Sequence, residues 1–164
     1  MAISIPSRLA ANCRKHAERT AWRGRLPDTL RNLEGEWSVT LGAPFDGEDV
    51  RCAWVAPARL ADGSSAVLKV GMPHMEADHE LEGLRFWNGD PTAPVLRGRS
   101  NWRDAPGALR TGTPLRALAE QIQDVVIAGL LRRLWRSPPA SHPFRPLSAL
   151  MEFFSEETLA HVEQ

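Results

Sequence analysis

The chain has 164 residues, with 20 basic and 20 acidic side chains and a formal net charge of zero. At roughly 150 residues per domain this is one domain, or one and part of another, and it is long enough to bury about 70% of its unfolded surface. A hydrophobic content of 43% and a charged content of 24% exclude general disorder, and the charge balance excludes a whole-molecule pull towards nucleic acid or acidic lipid. Cys13 and Cys52 lie far apart with no CxxC pair. They make neither a disulfide framework nor a zinc site, and they fit a reducing, cytoplasmic setting. The apolar run Val125 to Leu131 has seven residues, where about 20 are needed to cross a membrane. Pro6 and Arg8 interrupt the first ten residues, which lack the apolar segment of a signal peptide.

Residues 7 to 22 read as a first helix, with Leu9, Cys13, His16 and Ala17 on one stripe, Pro6 and Ser7 as starters and Gly24 as the stop. Pro27 opens a second, short helix that ends at Gly35. The period then changes to two, and Trp37, Val39 and Leu41 predict a half-buried strand. A loop from Gly42 to Asp49 leads to a second strand, Val50 to about Arg59. Asp62-Gly63 supplies a hairpin turn into a third strand, Ala66 to Val70. Three consecutive antiparallel strands are expected.

Pro73 and His74 introduce an amphipathic helix to about Trp87, with Met75, Leu81, Leu84 and Trp87 apolar and Glu76, Asp78 and Glu80 favouring its first half. Asn88-Gly89-Asp90-Pro91 ends it. Thr92 to Pro114 has no usable period; it carries three prolines, three glycines and arginines including Arg97, Arg99 and Arg103, and reads as a linker. A long helix from Leu115 to Trp135, the breaker Ser137-Pro138-Pro139 and a last helix from Pro146 to Val162 complete the chain.

Lys69 stands out. Eighteen of the 20 basic residues are Arg, and Lys69 interrupts the strand Val67-Leu68 and Val70. An edge-strand lysine reaching for water is the alternative reading. His74, Glu76, Asp78, His79 and Glu80 crowd together but lack His-Glu-x-x-His spacing, so acids at a helix start explain them better than a metal. Arg132, Arg133 and Arg136 read as dipole partners at a helix end.

The succession of Leu26-Pro27, Trp37 to Pro44, Ala66 to Val70 with its lysine, and His79 to Trp87 resembles the aminoglycoside and hydroxyurea phosphotransferases, a family with a protein-kinase-like fold that includes the streptomycin kinases. The resemblance implies an α+β fold: a kinase-like N-lobe of antiparallel sheet and helices over residues 1–91, an atypical linker over 92–114, and the first helices of a partial C-lobe over 115–164. It implies ATP and magnesium as cofactors and an alcohol group of an aminoglycoside, or hydroxyurea, as phosphate acceptor. By resemblance Lys69 sits against the nucleotide phosphates and Glu80 holds it, with Glu82 as the fallback. Gly42 and Gly47 belong to the loop that would cover those phosphates, although neither Gly-Lys-Ser/Thr nor GxGxxG is present.

The family's His-Gly-Asp motif, with an Asn five residues on and a later metal-binding Asp, has no match in this chain. The expectation is therefore a truncated, inactive kinase with no catalytic or metal-binding residue of its own, paired with a separately encoded C-lobe if it works at all. The family's hinge is also missing from 92–114. With suitably chosen codons, Arg97 to Arg110 read one nucleotide later spells Glu-Ala-Asp-Arg-Thr-Gly-Ala-Met-Leu-Leu-Glu-Arg-Cys, a hinge-like stretch, which suggests a compensated frameshift across about 93–111. Two rival readings are a non-catalytic nucleotide- or partner-binding module and an Arg-rich nucleic-acid-binding protein using Arg97 to Arg103 and the 132–136 cluster.

Overall fold

The computed structural model describes residues 3–47, 50–74, 77–98 and 115–162. Residues 99–114 of the expected 92–114 linker lie outside them, as do Glu48, Asp49, Met75 and Glu76. The elements run α1 (Ser7–Cys13), α2 (Ala17–Trp37), β1 (Val39–Leu41), β2 (Ala53–Leu60), β3 (Ser65–Gly71), α3 (Glu80–Trp87), a 3-10 turn (Leu115–Ala117), α4 (Glu120–Leu134) and α5 (Leu147–Val162). The architecture is α+β, with a three-stranded antiparallel sheet in the order β1-β2-β3.

The first two helices differ from expectation. The chain breaks at Arg14–His16 rather than at Gly24, and α2 then runs unbroken through Gly24, Pro27 and Gly35 to Trp37. Packing explains it. Trp22, Leu26, Leu30, Leu33 and Trp37 recur every three or four residues and are all buried, and this apolar stripe outweighs the local cost of two glycines and a proline. Trp37 consequently belongs to the helix and not to β1. Ser38 closes α2 in the left-handed region at φ 52° and donates its backbone N–H to the Glu34 carbonyl. The Glu34 side chain accepts from Leu41 N at 3.0 Å, tying helix to strand.

Alternation in β2 and β3 sorts the sheet into two faces. Trp54, Ala56 and Ala58, with Ala66, Leu68 and Val70, are buried against Leu9, Cys13 and the α2 stripe. Trp54 Nε1 donates to the Ser4 carbonyl at 2.9 Å, so its one polar atom is satisfied inside this core. Val55 and Lys69 are paired in register on the opposite face. The turn between the strands places Gly63 at φ 82°, and Asp62 accepts from Ser64 N at 2.8 Å and Ser64 Oγ at 2.6 Å. Those bonds hold the Asp62 carboxyl below its ordinary range.

The expected helix from Pro73 is shorter. It begins at Glu80, after His79 in a left-handed conformation at φ 63°. The expected long helix from Leu115 likewise divides into the 3-10 turn and α4. The turn Asn88-Gly89-Asp90 does more than end α3. Asp90 pairs with both Arg133 and Arg136 of the α4 end, and Trp87 Nε1 donates to the Leu134 carbonyl at 3.0 Å. The ends of α3 and α4 are thus fastened together.

The two thiols differ sharply. Cys13 is fully buried and donates to Met72 Sδ at 3.7 Å, while Cys52 is exposed. Burial pushes the Cys13 thiol up. The folded chain therefore holds that proton more tightly than the unfolded one, so the stabilisation is complete below the unfolded thiol range and fades as pH rises through and above it. A thiol-specific reagent is expected to modify Cys52 rapidly and Cys13 only on unfolding. Two equally fast thiols in the native chain would contradict the packing described.

Candidate functional site

The face of the sheet turned away from α2 forms the floor of a cleft of about 480 Å³. Ala53 and Val55 of β2 and Lys69 and Gly71 of β3 supply that floor, and Phe45, Val50, Arg51, Cys52, His74, Ala77 and Glu80 surround it. Lys69 owes its position to the β3 alternation, which sends Leu68 and Val70 into the core and Lys69 outward. Lys69 Nζ makes an ion pair with Glu80 Oε1, and both side chains are about one-third exposed.

Glu80 is placed by the backbone. The left-handed His79 turns the chain so that Glu80 is the first residue of α3, where the positive end of the helix dipole also favours a carboxylate. Glu82 is not among the residues that line the cleft. His74 accepts the Ala77 N–H at Nδ1, at 3.0 Å, which puts the proton of the neutral ring on Nε2.

The two glycines lie elsewhere. Gly42 donates its N–H to the Pro57 carbonyl at 2.8 Å, and Phe45 donates to the Val55 carbonyl at 2.9 Å. These bonds fold the loop back along β2, and neither Gly42 nor Gly47 lines the cleft. Among the other cleft residues, Phe45, Arg51 and His74 are the aromatic, cationic and imidazole groups to which the sequence gave no individual role. Phe45 belongs to the Gly42–Asp49 loop, Arg51 was expected in the second strand, which instead begins at Ala53, and only the proximity of His74 to Glu80 in sequence gave a hint.

Chemically, the cleft offers an apolar floor and the aromatic Phe45 to a flat ring, and the Lys69 and Arg51 cations to an anion. A lysine fixed by a helix glutamate is a preformed counter-charge for phosphate.

Over 94% of its length, the chain is 33% identical across 162 residues to the streptomycin 6-kinase of Streptomyces glaucescens, taking in 51% of that enzyme. It is also 30% identical across 166 residues to the streptomycin 6-kinase of Streptomyces griseus, over 98% of this chain and 53% of that enzyme. The chain belongs to the aminoglycoside phosphotransferase family. It spans about half the length of these kinase relatives. No family model matches the chain, and no solved structure matches it.

Among the described residues of this family member, no helix is long and apolar enough to cross a membrane. Three of its arginines singled out in the sequence are engaged internally. Arg97 donates to the Trp37 carbonyl at 2.8 Å, and Arg133 and Arg136 are paired with Asp90. Arg99 and Arg103 lie outside the described residues.

Proposed function

We propose that residues 1–91 form a protein-kinase-like N-lobe that binds ATP, and that the chain is the nucleotide-binding part of a phosphotransferase acting on an alcohol group of a streptomycin-type aminoglycoside. The observation that supports this best is the Lys69–Glu80 ion pair at the edge of an open cleft. It joins the third strand, an edge of the sheet, to the following helix, the arrangement by which a kinase-type lysine is aimed at phosphate. The names of the two relatives favour streptomycin over hydroxyurea as acceptor.

Magnesium does not fit the described residues. Among the described residues there is no group of three or more His, Cys, Asp or Glu side chains able to hold a metal ion. Glu80, the acid in the cleft, is occupied by Lys69. The chain's own contribution is to seat and neutralise the nucleotide, and no step through a metal is assigned to it.

By this reading the chain alone binds ATP weakly and transfers no phosphate, because it carries no His-Gly-Asp motif and the acceptor's proton has no partner. With radiolabelled ATP and streptomycin, incorporation equal to the no-protein blank is expected, alongside saturable ATP binding by calorimetry. Turnover clearly above the blank would refute the first statement, and absence of any ATP binding would refute the second. The nucleic-acid reading loses support from the internal bonds of Arg97 and Arg133 and from the neutral net charge.

A further inference from the structure

The chain is neutral as a whole but not along its length. Residues 1–27 carry six basic side chains against the single acid Glu18, so the rest of the chain holds five more acids than bases. Four of those cations gather at the elbow between α1 and α2. Arg14 and Lys15 are exposed in the break itself, and Arg19 and Arg23 follow at four-residue spacing on one side of α2. Among the described residues none of the four makes an ion pair with a carboxylate. Burial dominates at the Cys13 thiol, yet Arg23 and Arg19 act on it in the opposite sense, so both charges reach the end of α1.

This elbow is bonded to the cleft. Lys15 N donates to the Asn12 carbonyl at 3.3 Å, and Asn12 Nδ2 donates to the Arg51 carbonyl at 3.0 Å. Arg19 Nε donates to the Pro73 carbonyl at 3.3 Å, and Met72, which accepts from Cys13, donates its N–H to the Cys52 carbonyl at 2.8 Å. Arg51, Cys52 and His74 all line the cleft, so the elbow adjoins that end of it. The cleft by itself has no surplus of positive charge. Lys69 is paired with Glu80, and the segment 42–52 sets Asp46, Glu48 and Asp49 against Arg51. A nucleoside triphosphate carries several negative charges, and cations within about a screening length of the opening, roughly 8–10 Å at ordinary salt, are what draw it in.

We propose that the α1–α2 elbow is an electrostatic guide for the polyphosphate. Arg14, Lys15, Arg19 and Arg23 raise the positive potential at the Arg51–Cys52 end of the cleft and speed the entry of anions there, acting on the association rate more than on the contacts of the bound state. The inference rests on the reading of the cleft as a nucleotide site.

Cys52 reports that potential directly, because it lines the cleft and is the exposed thiol of the two. Its rate with a doubly anionic aromatic disulfide, which leaves a mixed disulfide on Cys52 and releases a coloured thiolate, is divided by its rate with neutral iodoacetamide. The thiolate fraction cancels in that ratio and the charge effect remains. For Arg14→Glu combined with Lys15→Glu the ratio at about 0.1 M salt should fall roughly fivefold, and at about 1 M salt the difference should vanish. Arg31→Glu combined with Arg59→Glu changes the charge equally but at a distance, about 18 Å along α2 from Arg19 and about 20 Å along the sheet from Cys52, and should leave the ratio unchanged. If the first pair fails to fold, Arg14→Gln with Lys15→Gln takes its place, with a fall of roughly twofold expected. The association rate of ATP, followed by stopped flow, should fall in step while its dissociation rate holds. A ratio indifferent to the elbow variants would overturn the inference, as would ATP that binds with an unaltered association rate. An elbow-dependent ratio in a chain that binds no ATP would remove the nucleotide reading and leave the anion guide standing. ATP binding with an indifferent ratio would do the reverse.

Discussion

Replacing Lys69 with Ala is expected to weaken ATP binding by roughly ten- to hundredfold, the worth of a hydrogen bond to a charged phosphate. The lysine lines the cleft beside Glu80, and removing it leaves the phosphates without the cation that the sheet aims at them. Glu80→Gln should cost less, because the ammonium remains and only its restraint is lost. The fold should hardly notice either change. Both side chains are about one-third exposed, and a pair so open to solvent contributes at most about 1 kcal/mol. Calorimetric titration of ATP into the three proteins checks this, with thermal unfolding as the control. Equal affinity in all three would mean that the cleft is not where nucleotide sits.

Leu30→Ala is expected to remove about 2–5 kcal/mol of stability, since it deletes a fully buried side chain and leaves a cavity. Leu30 sits midway along the α2 stripe, between Leu26 and Leu33, in the cluster that includes Leu68 and Val70 of β3. A total stability in the usual range of about 5–15 kcal/mol makes that loss large, and unfolding of much of the population would not be surprising. Arg31→Ala, one residue on, should change stability by no more than about 0.5 kcal/mol, because its bond to Asp28 is an exposed i, i+3 pair. Urea unfolding of both variants gives the comparison. A loss below about 1 kcal/mol for Leu30→Ala would show that α2 is not packed on the sheet as described.

The residues that could be read from the chain are those whose chemistry contradicts their surroundings. Lys69 is a lone lysine in an apolar strand of a protein whose other basic residues, Lys15 apart, are all Arg, and strand alternation alone predicts that it leaves the core. The Asp62-Gly63 turn fixes the β2–β3 pairing for the same local reason. The continuity of α2 was not legible, because Gly24, Pro27 and Gly35 each argue for an end, and only the buried stripe along the helix overrides them. Nor was the wall of the cleft. Phe45 comes from a loop whose placement follows from bonds such as that of Phe45 N to the Val55 carbonyl, which no sequence period announces, and Arg51 precedes a strand that begins at Ala53 and not at the expected Val50. Of the four residues expected at the nucleotide, the two on regular elements line the cleft and the two loop glycines do not.

The bond between Trp87 and Leu134, with Asp90 held by Arg133 and Arg136, ties α4 to the end of the helix that begins with Glu80. A load on one is felt by the other. Free energy is a state function, so any molecule in the cleft whose binding tightens or loosens this fastening must find its own affinity changed by the same factor when the fastening is altered from the α4 side.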